Sequence, residues 1–147
     1  MDLAYCKDRL TAAGVSFEAG LTPDEFLAVE RRYNFRFPPD LREFLGYALP
    51  VSKGWLDWRH ESPSEIRKRL EWPFESMCFD IEHNTFWLES WGPKPVALSE
   101  AFAIARAAVM AAPPLIPICS HRFLPDRPCE ACNPVFSVYQ TDIIYYG

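Results

Sequence analysis

The chain has 147 residues and a mass of 17.0 kDa, room for one domain with a core that needs neither disulfides nor metal. Its 49% hydrophobic and 24% charged content excludes a disordered chain, and a formal charge of −5 with no long Lys/Arg run excludes an electrostatic footprint for direct nucleic-acid binding. Fourteen prolines, about twice the ordinary share, argue against a bundle of long uninterrupted helices.

The N-terminus mixes charges with apolar residues and has the form of neither a signal peptide nor an anchor. The longest apolar stretch, Ala101–Ile118, is broken by Arg106 and by Pro113, Pro114 and Pro117, so a membrane span is not expected there. Five cysteines, an odd number without a secretory signal, argue against a disulfide framework. The expectation is a soluble, cytoplasmic protein.

Leu3, Cys6 and Leu10 share one face and predict a short helix over Leu3–Ala12, ended near Gly14; Val15–Leu21 reads as a loop. Thr22-Pro23-Asp24-Glu25 is a helix start, with Thr22 as cap, Pro23 at the first helical position and Glu25 reaching back to the cap amide. Phe26, Val29 and Tyr33 recur at helical spacing, and Asn34 tolerates the left-handed conformation that ends a helix. After an extended Phe35-Arg36-Phe37 connector, a second strong helix runs from Pro39 or Asp40 to Ala48, buries Leu41, Phe44, Leu45 and Ala48, and is closed by Pro50.

Lys53–His60 is aromatic and turn-like. Ser62-Pro63-Ser64-Glu65 repeats the cap pattern and predicts a helix over Ser64–Glu71. Met77–Ile81 and Asn84–Leu88 read as short strands. Ser99–Ala112 is alanine-rich, free of glycine and proline, and stopped by Pro113-Pro114, so it reads as a helix. Leu115–Cys119 reads as a strand, and Pro134–Tyr139 and Ile143–Tyr146 as a hairpin turning at Gln140–Asp142. Helices first and strands later predict a single α+β domain, with N-terminal helices packed on a mainly antiparallel sheet whose last strand can pair with another chain.

Four blocks in order carry a family resemblance. They are LTPDEFLAVERRYNFRFPPDLREFL (Leu21–Leu45), FDIEHNTFWLESWGPKP (Phe79–Pro95), PPLIPICSHRFLP (Pro113–Pro125) and NPVFSVYQTDIIYYG (Asn133–Gly147). Together they resemble the SUKH superfamily, of the Smi/Knr type, which includes a fungal cell-wall assembly regulator. The last three blocks resemble one bacterial branch of it. Asn34 stands where the family often has glycine, and similar members continue past the final strand into another helix. The resemblance implies an α+β fold, no cofactor and no catalysis. For the bacterial branch it implies an immunity protein that binds and blocks a cognate toxin domain of nuclease or deaminase type. For the fungal branch it implies a regulatory or scaffolding adaptor.

Three constellations are chemically suggestive in their own right. Cys119, His121, Cys129 and Cys132 form a Cys-x-His and a Cys-x-x-Cys across a short loop, the kind of ligand set a structural zinc takes. The competing reading is reduced loop and core thiols, and a thiol enzyme needs Cys119 beside His83 or His121. Asp80, Glu82, His83 and Asn84 place carboxylates beside a histidine, suited to acid–base work in a cleft or, more simply, to the polar rim of a hairpin. Trp55, Trp58, Trp72, Phe86, Trp87 and Trp91 are interleaved with Asp57, Glu61, Glu71, Glu75, Asp80, Glu82 and Glu89. Most of these suit a core with a solvated acidic face, while aromatic anchors ringed by acids suit a basic protein partner. Trp55, Trp58, Glu82, Trp87, Glu89 and Trp91 are the candidate partner-binding residues. Arg67-Lys68-Arg69 reads as a solvated helix face.

Overall fold

The structure is a computed structural model that describes residues 1–146. It is an α+β fold of five α-helices with a two-stranded and a four-stranded antiparallel sheet. The chain opens with α1 (Leu3–Ala12), capped by the Asp2 carboxylate, which accepts the Tyr5 N–H at 2.9 Å. The predicted Val15–Leu21 loop contains a short strand, β1 (Phe17–Ala19). Helix α2 (Pro23–Tyr33) starts with the full capping box: Thr22 Oγ1 accepts the Glu25 N–H and Glu25 Oε2 accepts the Thr22 N–H. Asn34 ends it in the left-handed conformation, φ 55° and ψ 53°.

Helix α3 (Pro39–Tyr47) follows as expected, but Pro50 does more than stop it. The chain turns directly into β2 (Ala48–Pro50), which pairs antiparallel with β1, Phe17 opposite Pro50 and Ala19 opposite Ala48. The close pass of β1 over the end of α3 depends on Gly20. A Cβ there would overlap the carbonyl of Gly46, backbone that cannot swing away.

The largest departure from the sequence reading is α4, which runs from Pro63 to His83, through Pro73. The strand expected over Met77–Ile81 is its last turns, and Asn84–Leu88 is irregular chain leading into a 3₁₀ turn at Glu89–Trp91. A proline inside a helix removes one ladder bond and costs about 3 kcal/mol. An apolar stripe, Ile66, Leu70, Phe74, Met77 and Ile81, holds the helix together on both sides of it. Ile66 and Leu70 belong to the main core, and Phe74, Met77 and Ile81 to a second cluster. Helix α5 (Leu98–Ala111) lies against this second half, joined to it by Arg106, which donates to Glu71 at 2.7 Å and sits 3.7 Å above the Phe74 ring.

The chain ends in a meander of β3 (Leu115–Cys119), β4 (Arg122–Pro125), β5 (Val135–Tyr139) and β6 (Asp142–Tyr146), paired in that order. Strand β4 falls where a loop was expected. The predicted β5–β6 hairpin is present, with Tyr139 opposite Asp142. The N-terminal helices meet the sheet through Ile116 and Leu124 in the main core, but the helix lying along β3 and β5 is α4. No helix among the described residues is long and apolar enough to cross a membrane.

Arg59 fastens the N-terminal half together. Its guanidinium donates to both carboxylate oxygens of Glu25, at 2.7 and 3.0 Å, and to the carbonyls of Ala19 and Gly20. One side chain thus ties the 53–60 loop to the start of α2 and the end of β1. The Arg59 hydrogen bonds hold the Glu25 carboxyl down at about 2, against an ordinary 4.5. A group whose folded pKa is depressed contributes stability above its unfolded pKa and loses it as pH falls. The Glu25 contribution is therefore complete above about pH 4.5 and vanishes as pH falls toward 2. Both groups are partly solvated, so Arg59→Ala is expected to cost about 1–2 kcal/mol at pH 7 and much less at pH 2.5, measured by urea unfolding. Gly20→Ala is expected to lower stability by about 2 kcal/mol, roughly 4–8 °C in Tm by calorimetry, through overpacking against Gly46.

Candidate functional site

The four zinc-type residues do not converge. Cys119 and His121 lie at the turn of the β3–β4 hairpin, where Cys119 pairs with Arg122. Cys129 and Cys132 follow the other end of β4 and lie over the start of α3: the Cys129 thiol faces the Phe37 carbonyl, and the Cys132 N–H donates to Asp40. A strand length separates the two pairs, and among the described residues no three His, Cys, Asp or Glu side chains are placed to hold a metal ion. Nor do Cys119 and a histidine form a nucleophile–base pair. The His121 ring bonds Ser120 Oγ at 3.1 Å, and His83 is at the far end of α4. Burial pushes the Cys119 thiol up, away from the thiolate a nucleophile needs.

Asp80 and its neighbours also take a structural arrangement. Asp80 is only 4% exposed, at the inner face of α4. One oxygen accepts the Thr141 N–H at 2.9 Å and the Thr141 hydroxyl at 2.6 Å, and the other accepts from the Asn84 side chain at 2.6 Å. These bonds hold its carboxyl below the ordinary range, Thr141 contributing most. Three donors use up the charge, so Asp80 is fixed as a carboxylate that pins the β5–β6 turn to α4. Glu82 and His83 are exposed, 3.6 Å apart, and the His83 ring lies tilted against Phe79.

The aromatic candidates divide sharply. Trp58 is 5% exposed and packs among Phe35, Phe37 and Tyr33, so it is a core residue and not a surface anchor. Trp55 is half-buried against Phe44. Trp87 and Trp91 pack edge to face, 5.0 Å apart, over Ile81, Ala101 and Ala105, and the Trp87 indole donates to the Gly92 carbonyl. They hold the 84–97 loop on α4 and α5. Glu82 and Glu89 are exposed. Of the basic run, Arg67 sits over the Tyr33 ring and Arg69 donates to the carbonyls of Gly54 and Ser120, so two of the three bind the fold together; Lys68 pairs with Glu65 at the surface.

The exposed tryptophan is one the sequence reading left outside its binding set. Trp72 is 44% exposed on the outer face of α4, Phe79 two turns later is 48% exposed, and Tyr139 at the end of β5 is 63% exposed. With Glu75, Ser76 and Gln140 they line a cleft of about 260 Å³ between the helix and the β5–β6 turn. Beside it, the edge strand β6 presents Ile143, Ile144, Tyr145 and Tyr146, each more than half exposed. The helical spacing Trp72, Ser76, Phe79, His83 carries the signal, but it becomes readable only once α4 is known to continue through Pro73.

Protein-family models, curated proteins and solved structures were compared with the chain, and none matches it.

Replacing Asp80 with Ala strands the Thr141 N–H and hydroxyl and frees the turn that forms one wall of the cleft. The expected loss is about 2–3 kcal/mol at pH 7 in urea unfolding. Because the folded pKa is depressed, the wild-type advantage over Asp80→Ala is expected to shrink as pH falls below about 4.

Proposed function

We propose that the chain is a non-enzymatic protein-binding domain of the SUKH type, an immunity protein that binds a basic toxin domain of nuclease or deaminase type and covers its active site or substrate groove. The observation that carries this reading is the exposed aromatic face of Trp72, Phe79 and Tyr139, set beside Glu75 and continued by the apolar edge strand β6. Soluble monomers rarely leave a contiguous aromatic and aliphatic patch in water unless something binds it. Aromatic side chains dominate the well-packed centres of protein interfaces, where a few residues supply most of the affinity. The formal charge of −5 favours a positively charged partner and speeds its approach.

Occlusion requires a firm surface and complementary charge, and no activated nucleophile or proton shuttle. The α+β architecture agrees with the one the family resemblance implies.

The test takes as its toxin any nuclease- or deaminase-type domain found in a reading frame next to this chain's gene, and the absence of such a frame counts against the reading. Calorimetric titration is expected to give a one-to-one complex with a dissociation constant below micromolar, and a stoichiometric amount of the chain is expected to abolish toxin activity. The double substitution Trp72→Ala and Phe79→Ala is expected to weaken binding about 30-fold or more, as loss of hot-spot anchors does, with unfolding measured alongside to exclude a fold defect. No complex at micromolar concentration overturns the reading.

A further inference from the structure

We propose that the cleft between α4 and the β5–β6 turn is a receptor for a single guanidinium group, carried by an arginine side chain of the partner. The inference rests on the protein-binding reading above and assigns its chemistry at one position. Trp72, Phe79 and Tyr139 line the cleft, and Glu75 is the acidic residue among the lining residues. Aromatic faces carry negative charge density and attract cations, arginine in particular, and a carboxylate at the same place supplies a counter-ion.

Size narrows the ligand. About 260 Å³ is smaller than the roughly 300–1,000 Å³ of clefts that bury drug-sized molecules, and suits one long side chain. Charge narrows it further. Glu75 forms no ion pair and no lysine or arginine lines the cleft, among the described residues. Lys68, two turns earlier on α4, is held by Glu65. Glu75 therefore keeps a carboxylate free of any short ion pair, with Lys68 acting on it only at longer range.

Shape favours guanidinium over ammonium. A planar group stacks on indole and phenol faces and still presents an N–H fork to a carboxylate, whereas an ammonium is compact and strongly hydrated. Two of the three rings are also supported by neighbours before any ligand arrives. The His83 ring lies tilted against Phe79 at 4.6 Å and His121 packs edge-on to Tyr139 at 6.5 Å, while Asp80 pins the turn that follows Tyr139. Such support reduces the ordering cost that weakens binding to loose surface side chains.

The probe is a capped Gly-Ser heptapeptide with one central arginine, and its twin has citrulline in that place, isosteric and neutral. Binding is read from the tryptophan indole signals of ¹⁵N-labelled full chain, with the Trp72 signal assigned from Trp72→Phe. The arginine peptide is expected to shift the Trp72 indole and leave the Trp58 indole unmoved, with a millimolar dissociation constant. The citrulline twin is expected to bind at least about 10-fold more weakly, and Glu75→Gln to cost the arginine peptide about 5- to 10-fold. A lysine twin is expected to bind more weakly than arginine. Equal shifts from arginine and citrulline peptides, or unchanged arginine binding by Glu75→Gln with its other indole signals intact, overturn the proposal. The toxin titration separates the two readings. Unaltered toxin affinity of Glu75→Gln together with Tyr139→Ala removes the cleft and leaves immunity standing. Arginine-peptide binding with no toxin complex removes immunity and leaves the cleft.

Discussion

One buried carboxylate sets the geometry of the exposed face. Asp80 lies on the inner side of α4, and its bonds to Thr141 join residues 61 positions apart in the chain. Without this contact the β5–β6 hairpin, whose outer strand is exposed along its whole length, would have little to fix its tip. With it, Tyr139 and Gln140 stand opposite Trp72, Ser76 and Phe79, and a cleft exists between them. Burying a charge is tolerable here because three short hydrogen bonds replace the water it loses.

Asp80 can act this way only because α4 is continuous from the main core to the second cluster. The helix spans Pro63–His83, with Ile66 in one hydrophobic cluster and Ile81 in the other. A break at Pro73 would separate the two clusters and remove Trp72 and Phe79 from a common face. The burial of Ile66 and Ile81, the Glu71–Arg106 bridge and the Asp80 contact together outweigh a local cost of about 3 kcal/mol. The helix propensity that predicts an end near Glu71 is therefore overridden by tertiary packing. The same balance appears at the N-terminus, where the Arg59 guanidinium gathers a capping carboxylate and two strand-end carbonyls into one network.

The parts that were legible from sequence are those governed by local chemistry. The Thr22 capping box, the Asn34 helix end, the Ala-rich α5 and the β5–β6 hairpin each follow from a handful of neighbouring residues. What was not legible depends on distant partners. Strand β1 exists because β2 comes back beside it, and β4 because β3 and β5 flank it. In sequence the Trp87–Trp91 pair reads as a set of partner-binding anchors on an exposed loop, and the packing of α5 against α4 turns it inward. The stripe Ile66, Leu70, Phe74, Met77, Ile81 has helical spacing throughout, yet Pro73 interrupts it and the β-prone residues after it suggest strands. Of the acidic side chains near the tryptophans, Asp80 is buried and Glu71 pairs with Arg106, and only α4's continuity places Glu75 beside exposed rings.

The division between buried and exposed aromatics has a further consequence for how the proposed binding works. Trp58, Trp87 and Trp91 are spent on holding loops to helices and offer little to a partner. Trp72, Phe79 and Tyr139 are left as contact area. Affinity then comes from rings that lose little freedom on binding, and the acidic charge around them steers a basic partner before contact is made. A loop bearing the same rings would give up part of that affinity to its own ordering. Placing them on a helix and on a strand end pinned by Asp80 is what suits a small cleft to the single cationic side chain proposed for it.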